Sequence, residues 1–233
     1  MKSEKRINDI KVVVFDADDT LWDCQSHFDR MDDRMAEMLE PWCPHEIAHT
    51  ELLKTERDNL SLSGYGSKAF TLSVLETAIR VSHGAISSDN LATLIEMGKG
   101  LMRMPVEPLP EVTETLERMS RYYKVVFTKG DLLDQEQKLH RSGLDTFFQH
   151  TEITSNKSER EFLRLCDKLS VKPHEMVMVG NSFKSDIAPA LAIGAWGIYI
   201  PYDVVWEIEL ADEFEHDHCF KINHFSEILK IIA

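Results

Sequence analysis

No apolar run near the start of the chain approaches the length of a signal peptide or a membrane span: Met1 to Ile10 is polar and charged, and Val12 to Phe15 is far too short. A cytoplasmic protein with no membrane partner is expected. Cysteine is scarce, and the 4 present, Cys24, Cys43, Cys166 and Cys219, show neither the close pairing of a zinc site nor the density of a disulfide scaffold. Reduced thiols are expected. Basic residues are in deficit: 26 Lys and Arg against 40 Asp and Glu leave a formal charge of −14, and no block of lysine or arginine is long enough to track a nucleic-acid backbone. Nucleic acid is thereby excluded as the expected partner. There is also no internal repeat and no low-complexity tract.

The 233 residues, 43% of them hydrophobic, suffice for a core domain carrying one substantial insertion. Lys11-Val-Val-Val-Phe15 is a short, continuously apolar, β-branched run of the kind that forms a strand buried on both faces. Lys124-Val-Val-Phe127, Met176-Val-Met-Val179 and Gly197-Ile-Tyr-Ile200 read the same way, and helix-like stretches such as Glu111 to Tyr122 and Ser158 to Leu169 lie between them. That alternation predicts an α/β fold, a Rossmann-like parallel sheet with an inserted helical domain. Residues 21–104 show leucines, methionines and charges at helical spacing and no convincing strand, so they form the insertion; residues 1–20 and 105–233 form the core. Pro105, Pro108 and Pro110 mark the return, with Pro110-Glu111 suited to a first helical turn. Phe225 to Ile232 reads as a closing helix.

In an open α/β sheet the ligand crevice lies beyond the carboxyl ends of the strands. The residues there are Asp16-Ala17-Asp18-Asp19-Thr20 after the first strand, Thr128-Lys129-Gly130 after the second, Asn156-Lys157-Ser158 ahead of a helix, and Gly180-Asn181-Ser182 followed by Asp186. A carboxylate such as Asp16 can attack phosphorus to give an acyl phosphate that water hydrolyses readily, splitting one difficult displacement into two easier ones. Asp18, two residues further on, is read as projecting to the same side, where it protonates the leaving oxygen and then deprotonates water. The hydroxyl of Thr128 and the ammonium of Lys157 suit the phosphoryl oxygens, whose charge redistributes in the transition state. A diffusely negative chain needs a local positive focus to hold a phosphate, so a metal is expected in the site, and Mg2+ matches an oxygen-only donor set.

These four clusters, in order and spacing, resemble the motifs of the haloacid dehalogenase-like superfamily, and the resemblance spans the whole chain. It implies a phosphatase acting on small phosphorylated metabolites, with Asp16 as nucleophile and Asp18 as acid/base. Thr128, Lys129 and Lys157 would bind the phosphoryl group. The Mg2+ site would be made by Asp16, the Asp18 carbonyl, Asn181 and Asp186. The insertion looks like that superfamily's helical, C1-type cap, which closes over substrate and excludes water. Two positions depart from the pattern. Asp19 stands where glycine is common, and Asn181 where an acid usually touches the metal; an amide oxygen ligates a hard cation but brings no charge. A sugar phosphomutase or a dehalogenase of the same superfamily, or a catalytically weak phosphate-binding regulator, are the alternatives.

Three other patterns have competing readings. His45-Glu46-Ile47-Ala48-His49 matches His-Glu-x-x-His, but Leu52 and Thr55 break the longer zinc-protease signature, and an amphipathic helix with exposed histidines is the better account. Glu215-His216-Asp217-His218-Cys219 carries donors a transition metal could use, but a solvated acidic loop is the better account. Gly64-Tyr65-Gly66-Ser67-Lys68 is either a specificity loop, with Lys68 reaching the substrate, or an ordinary interhelical turn. Met31, Met35 and Met38 recur at helical spacing as core filler.

Overall fold

The computed structural model describes residues 6–232. Along the chain run β1 (Val12–Phe15), α1 (Gln25–Leu39), α2 (His45–Ser63), α3 (Ser67–Val81), α4 (Ser88–Leu101), α5 (Val112–Arg118) and β2 (Tyr123–Lys129). They are followed by α6 (Leu132–Arg141), β3 (His150–Thr154), α7 (Glu159–Leu169), β4 (Met176–Gly180), α8 (Ala188–Ala192), β5 (Trp196–Tyr199), β6 (Cys219–Lys221) and α9 (Ile228–Ile231). Two compact units result. One comprises the chain up to Asp23, Val106–Lys129 and everything from Gln135 on; the other comprises Cys24–Pro105 and Gly130–Asp134.

The first unit is a six-stranded sheet in the order β3-β2-β1-β4-β5-β6, parallel throughout. Because side chains alternate along a strand, β1 feeds two cores at once. Val13 and Phe15 join Val126, Val177 and Val179 under Leu116 of α5 and Ile228 of α9. Val12 and Val14 join Val125, Phe127 and Met178 under Phe162 and Leu165 of α7. Burial on both faces is why these strands are apolar without interruption. β1 lies between β2 and β4, with Phe15 level with Val126 and Val179. The order reverses at β1, so the chain emerging after Phe15 enters the crevice at the switch point. The outgoing and returning chains are pinned within this unit: Leu109 N donates to the Leu21 carbonyl at 2.8 Å, and Trp22 bridges Pro108.

The second unit is helical. Met31, Met35 and Leu39 of α1, Leu52 of α2, Phe70 and Val74 of α3 and Leu94 of α4 form its core. α3 and α4 approach closely at Gly98, where a Cβ would lie 2.3 Å from Thr71 Oγ1. Gly130–Asp134 belongs to this unit through two polar contacts, a buried one in which Ser67 Oγ donates to Asp134 Oδ2 at 2.8 Å and an exposed one from Lys68 Nζ to Asp131 Oδ1 at 2.9 Å.

Several local expectations are corrected. β3 and β6 were not legible: His150–Thr154 is a half-buried edge-side strand rich in polar residues, and Cys219–Lys221 is three residues long and opens inside the segment read as a loop. The closing segment is a 3-10 turn, Phe225–Glu227, followed by one short turn of α9. Glu111 precedes its helix in a left-handed conformation (φ 68°), and its carboxylate accepts from Ser226 N at 3.1 Å. Asp18 is not on the first strand, which ends at Phe15; it sits in a turn closed by its bridge to Trp22. Its direction is therefore set by that turn and by hydrogen bonds rather than by strand alternation.

Candidate functional site

β1 delivers Asp16 with its N–H bonded to the Val179 carbonyl at 2.9 Å, so the backbone leaving the strand is held to β4. The carboxylate is buried. Its Oδ1 accepts from Lys157 Nζ, and the same ammonium donates to Asp186 Oδ1 at 2.7 Å. Lys157 itself is 1% exposed, so one cation is enclosed by two carboxylates. The other oxygen, Oδ2, lies 3.1 Å from Thr20 Oγ1, whose hydroxyl proton can equally serve Asn181 Oδ1 at 3.2 Å. Thr20 Oγ1 in turn accepts from Asn181 N at 3.1 Å. Asp16 thus sits at the meeting point of two short networks, one through Lys157 to Asp186 and one through Thr20 to Asn181.

Asp186 is presented by a single π-helical turn, Phe183–Ile187, capped by the Ser182 hydroxyl. Its Oδ2 accepts from Ser182 N at 3.0 Å and lies so close to β4 that a Cβ on Gly180 would come within 2.3 Å of it. Glycine is required there by space. Gly180→Ala is expected to displace the Asp186 carboxylate, lowering stability by about 1–3 kcal/mol as overpacking does and activity by at least tenfold; thermal melts and phosphate-release assays on the variant check this.

Asp19 has φ 59°, the left-handed region in which Asp is one of the few tolerated side chains. That explains how an acid replaces the usual glycine. Beyond it the Asp18 carboxylate receives four short bonds. Trp22 Nε1 donates to Oδ1 at 2.8 Å, Gln135 Nε2 to Oδ2 at 3.0 Å, and Lys138 Nζ to both oxygens at 2.6 and 2.8 Å. Gln135 Nε2 also lies 2.6 Å from Thr128 Oγ1, whose own proton has only a 3.4 Å contact with the Lys129 carbonyl.

The electrostatics separate the two acids. Burial, reinforced by the nearby Asp186 charge and only partly offset by Lys157, pushes Asp16 up from 3.8 to about 7. Burial also works against ionisation of Asp18, but the charge and hydrogen bonds of Lys138, with the bonds from Trp22 and Gln135, outweigh it and hold this carboxyl below its ordinary value. For Lys157, desolvation is overcome by Asp16 and Asp186, which keep it protonated far into alkaline solution.

The remaining expected residues lie elsewhere. Lys129 turns to Glu209 and Ser185, at 2.6 and 2.8 Å, in a largely buried ion pair beside the Ser182–Asp186 turn. Glu209 also accepts from Ser182 Oγ at 2.7 Å, and Lys129 holds it down to about 2 against the opposing effect of burial. Lys68 belongs to the helical unit, half exposed and paired with Asp131. His45 and His49 face Asp33 and Asp32 of α1, so the two histidines of the His-Glu-x-x-His pattern serve helix packing. Sequence reasoning missed Lys138, Gln135, Trp22 and Glu209. The signal for the first two was an amphipathic helix whose polar Gln135 and Lys138, one turn apart, share the inward side with Leu139.

The donor set suits Mg2+. Asp16, Asn181 and Asp186 offer oxygen alone, and among the described residues no three of His, Cys, Asp and Glu gather as a metal-holding group. Two carboxylates and an amide are what a small cation that retains several waters uses.

The haloacid dehalogenase-like hydrolase family matches residues 10–194. A haloacid dehalogenase-like hydrolase from Xanthomonas campestris superposes with a TM-score of 0.86 at 32% identity, over 97% of this chain and 94% of that one. Curated relatives named glyceraldehyde 3-phosphate phosphatase include one from Pyrococcus furiosus, 25% identical over 96% of this chain and 93% of its own. Another, from Methanothermobacter thermautotrophicus, is 28% identical over 91% of this chain and 92% of its own. On the family match, the shared sheet and the strand-end carboxylates, this chain belongs to the haloacid dehalogenase-like hydrolases.

Proposed function

We propose that the protein is a Mg2+-dependent phosphatase of small phosphorylated metabolites. The observation that carries this reading is the buried Asp16–Lys157–Asp186 bridge at the carboxyl end of β1, a nucleophilic carboxylate beside a fixed cation. The two curated relatives, both named as phosphatases, support it. Triose phosphates are accordingly the first members of a substrate panel. A cytoplasmic setting is part of the proposal, supported by four free cysteines; no helix among the described residues is long and apolar enough to cross a membrane.

Asp16 attacks phosphorus as the bond to the leaving oxygen breaks, giving an aspartyl phosphate. Thr128, whose hydroxyl proton is weakly engaged, and Lys157 hold the phosphoryl oxygens through both transfers. Asp18 then takes the proton of the water that attacks phosphorus, and the Asp16–phosphorus linkage breaks to return the free carboxylate. In the first transfer Asp18 delivers a proton to the leaving oxygen, a demand that is greatest for a poor, alkoxide leaving group. Asp16, Asn181, Asp186 and the Asp18 carbonyl would hold Mg2+, which offsets repulsion between the nucleophile and the substrate phosphate. The helical unit that contains Cys24–Pro105 acts as the cap that selects substrate.

Phosphate release from p-nitrophenyl phosphate and from a metabolite panel, with and without Mg2+, tests this reading; release that needs Mg2+ is expected, and none from any phosphomonoester overturns it. Asn181→Asp is expected to tighten Mg2+ binding by restoring a carboxylate to the shell, as measured by calorimetry on the free protein. Unchanged or weaker binding removes Asn181 from the ligand set.

A further inference from the structure

Lys138 has no place in the motifs that define the site, yet its ammonium is buried to 2% exposure against Asp18. Enclosing a lysine costs several kcal/mol in desolvation unless the geometry of its partner is very good. Here it is: Nζ contacts both carboxylate oxygens, at 2.6 and 2.8 Å. Two further donors fix the same group from different directions, Trp22 from the turn that Asp18 itself closes and Gln135 from the preceding turn of α6. Leu139, next to Lys138, is packed in the core between the sheet and its covering helices, so the helix bearing both donors is anchored to the strands that carry Asp16 and Thr128. Gln135 joins Asp18 to Thr128 through one nitrogen.

We propose that Lys138 is a positioning residue for the reaction, acting through Asp18: by gripping both oxygens it fixes the rotamer of the carboxylate that handles protons beside Asp16. This rests on the phosphatase reading and deepens it. The ammonium does not touch the substrate. It sets the orientation from which the Asp18 oxygens meet the leaving oxygen and the attacking water, where an ångström of misplacement has a large effect on rate. Gln135 extends the arrangement by tying that orientation to the phosphoryl-binding hydroxyl of Thr128.

The alternative, a clamp that merely holds α6 to the sheet, makes a different set of measurable demands. If Lys138 acts through Asp18, its removal matters only while Asp18 is present. Lys138→Met, which keeps the side-chain length and removes the charge, is expected to lower kcat on an alkyl phosphate at least tenfold while KM changes less than threefold. On an aryl phosphate with a good leaving group the loss of kcat should be smaller. The deciding comparison is the double variant. Asp18→Asn/Lys138→Met should be no slower than Asp18→Asn alone, measured on the aryl phosphate, where the single variant keeps enough rate to compare.

The double variant also guards against a folding artefact, because it buries no unpaired charge; its thermal midpoint should lie above that of Lys138→Met alone. A clamp role gives additive losses, with the double variant slower than Asp18→Asn by the full factor that Lys138→Met costs in the wild-type background. Additive losses, or Lys138→Met kinetics equal to wild type on both substrates, overturn the assignment while leaving the phosphatase reading intact. Failure of the wild-type protein to release phosphate from either ester overturns that reading, and this assignment with it.

Discussion

Asp16→Asn is expected to abolish phosphate release, by at least about a thousandfold in kcat, because loss of the nucleophile in a unit that acts together removes nearly all the chemistry. The fold should persist. The amide is nearly the size of the carboxylate, keeps an oxygen for Lys157 or Thr20, and removes a charge whose burial already raises the acid to about 7. A carboxyl held above its ordinary 3.8 binds more protons in the native state than in the unfolded one between those values, so its contribution to stability falls as pH rises from about 4 to 7. The variant, lacking that titration, should lose less stability than wild type over the same interval in metal-free buffer. Denaturant titrations at pH 5 and pH 8 measure the difference, and residual activity within tenfold of wild type removes Asp16 from the nucleophile role.

Lys157→Met should produce the largest loss of stability among single variants of the site. It leaves Asp16 and Asp186 facing each other, buried, without the cation enclosed between them. Breaking a buried ion pair from one side costs about 3–5 kcal/mol. The sign with pH follows from the same groups. Lys157 is raised above its ordinary 10.5, so its stabilisation is fully present at neutral pH and is lost only as pH climbs through the folded value. In the variant Asp16 loses the cation that partly offsets its burial, which raises its carboxyl further, so the deficit grows from pH 4 toward pH 8 and shrinks in acid as Asp16 takes up its proton. Melting midpoints across that range check the trend. A deficit that is flat with pH contradicts the bridge.

The parts of the fold that were legible are those in which burial leaves only one composition possible. β1 and β4 are covered on both faces, and every residue in each is buried, so an uninterrupted apolar run was their only solution. β3 has no such constraint: His150, Glu152 and Thr154 are half exposed, and its pairing with β2 comes from backbone bonds that leave little trace in side-chain pattern. The site divides in a similar way. Asp16, Thr128, Lys157, Asn181 and Asp186 follow strands or open helices, where a polar cluster after an apolar run stands out. Lys138 and Glu209 do not. A lysine within an amphipathic helix and a glutamate in a long acidic loop read as solvated, and only tertiary packing turns them inward. Strand alternation predicts the Asp18 direction only while the chain stays in the strand; by Asp18 it has left, and a turn together with Trp22, Gln135 and Lys138 sets the direction instead.

Lys129 and Lys68 show the converse. Each is a cation in the right stretch of sequence, but the structure matches Lys129 with Glu209 and Lys68 with Asp131. Spacing located these lysines and could not say which acid each would meet, because the partners lie 80 and 63 residues away.

The central claim, a phosphoryl group carried on Asp16, is tested most directly by rapid acid quench of a single turnover with a radiolabelled phosphomonoester, followed by proteolysis and mass analysis. Label should appear on the peptide containing Asp16, rise and fall within one turnover, and be absent from Asp16→Asn. Complete turnover with no labelled peptide at any quench time, or label on another residue, would contradict the account.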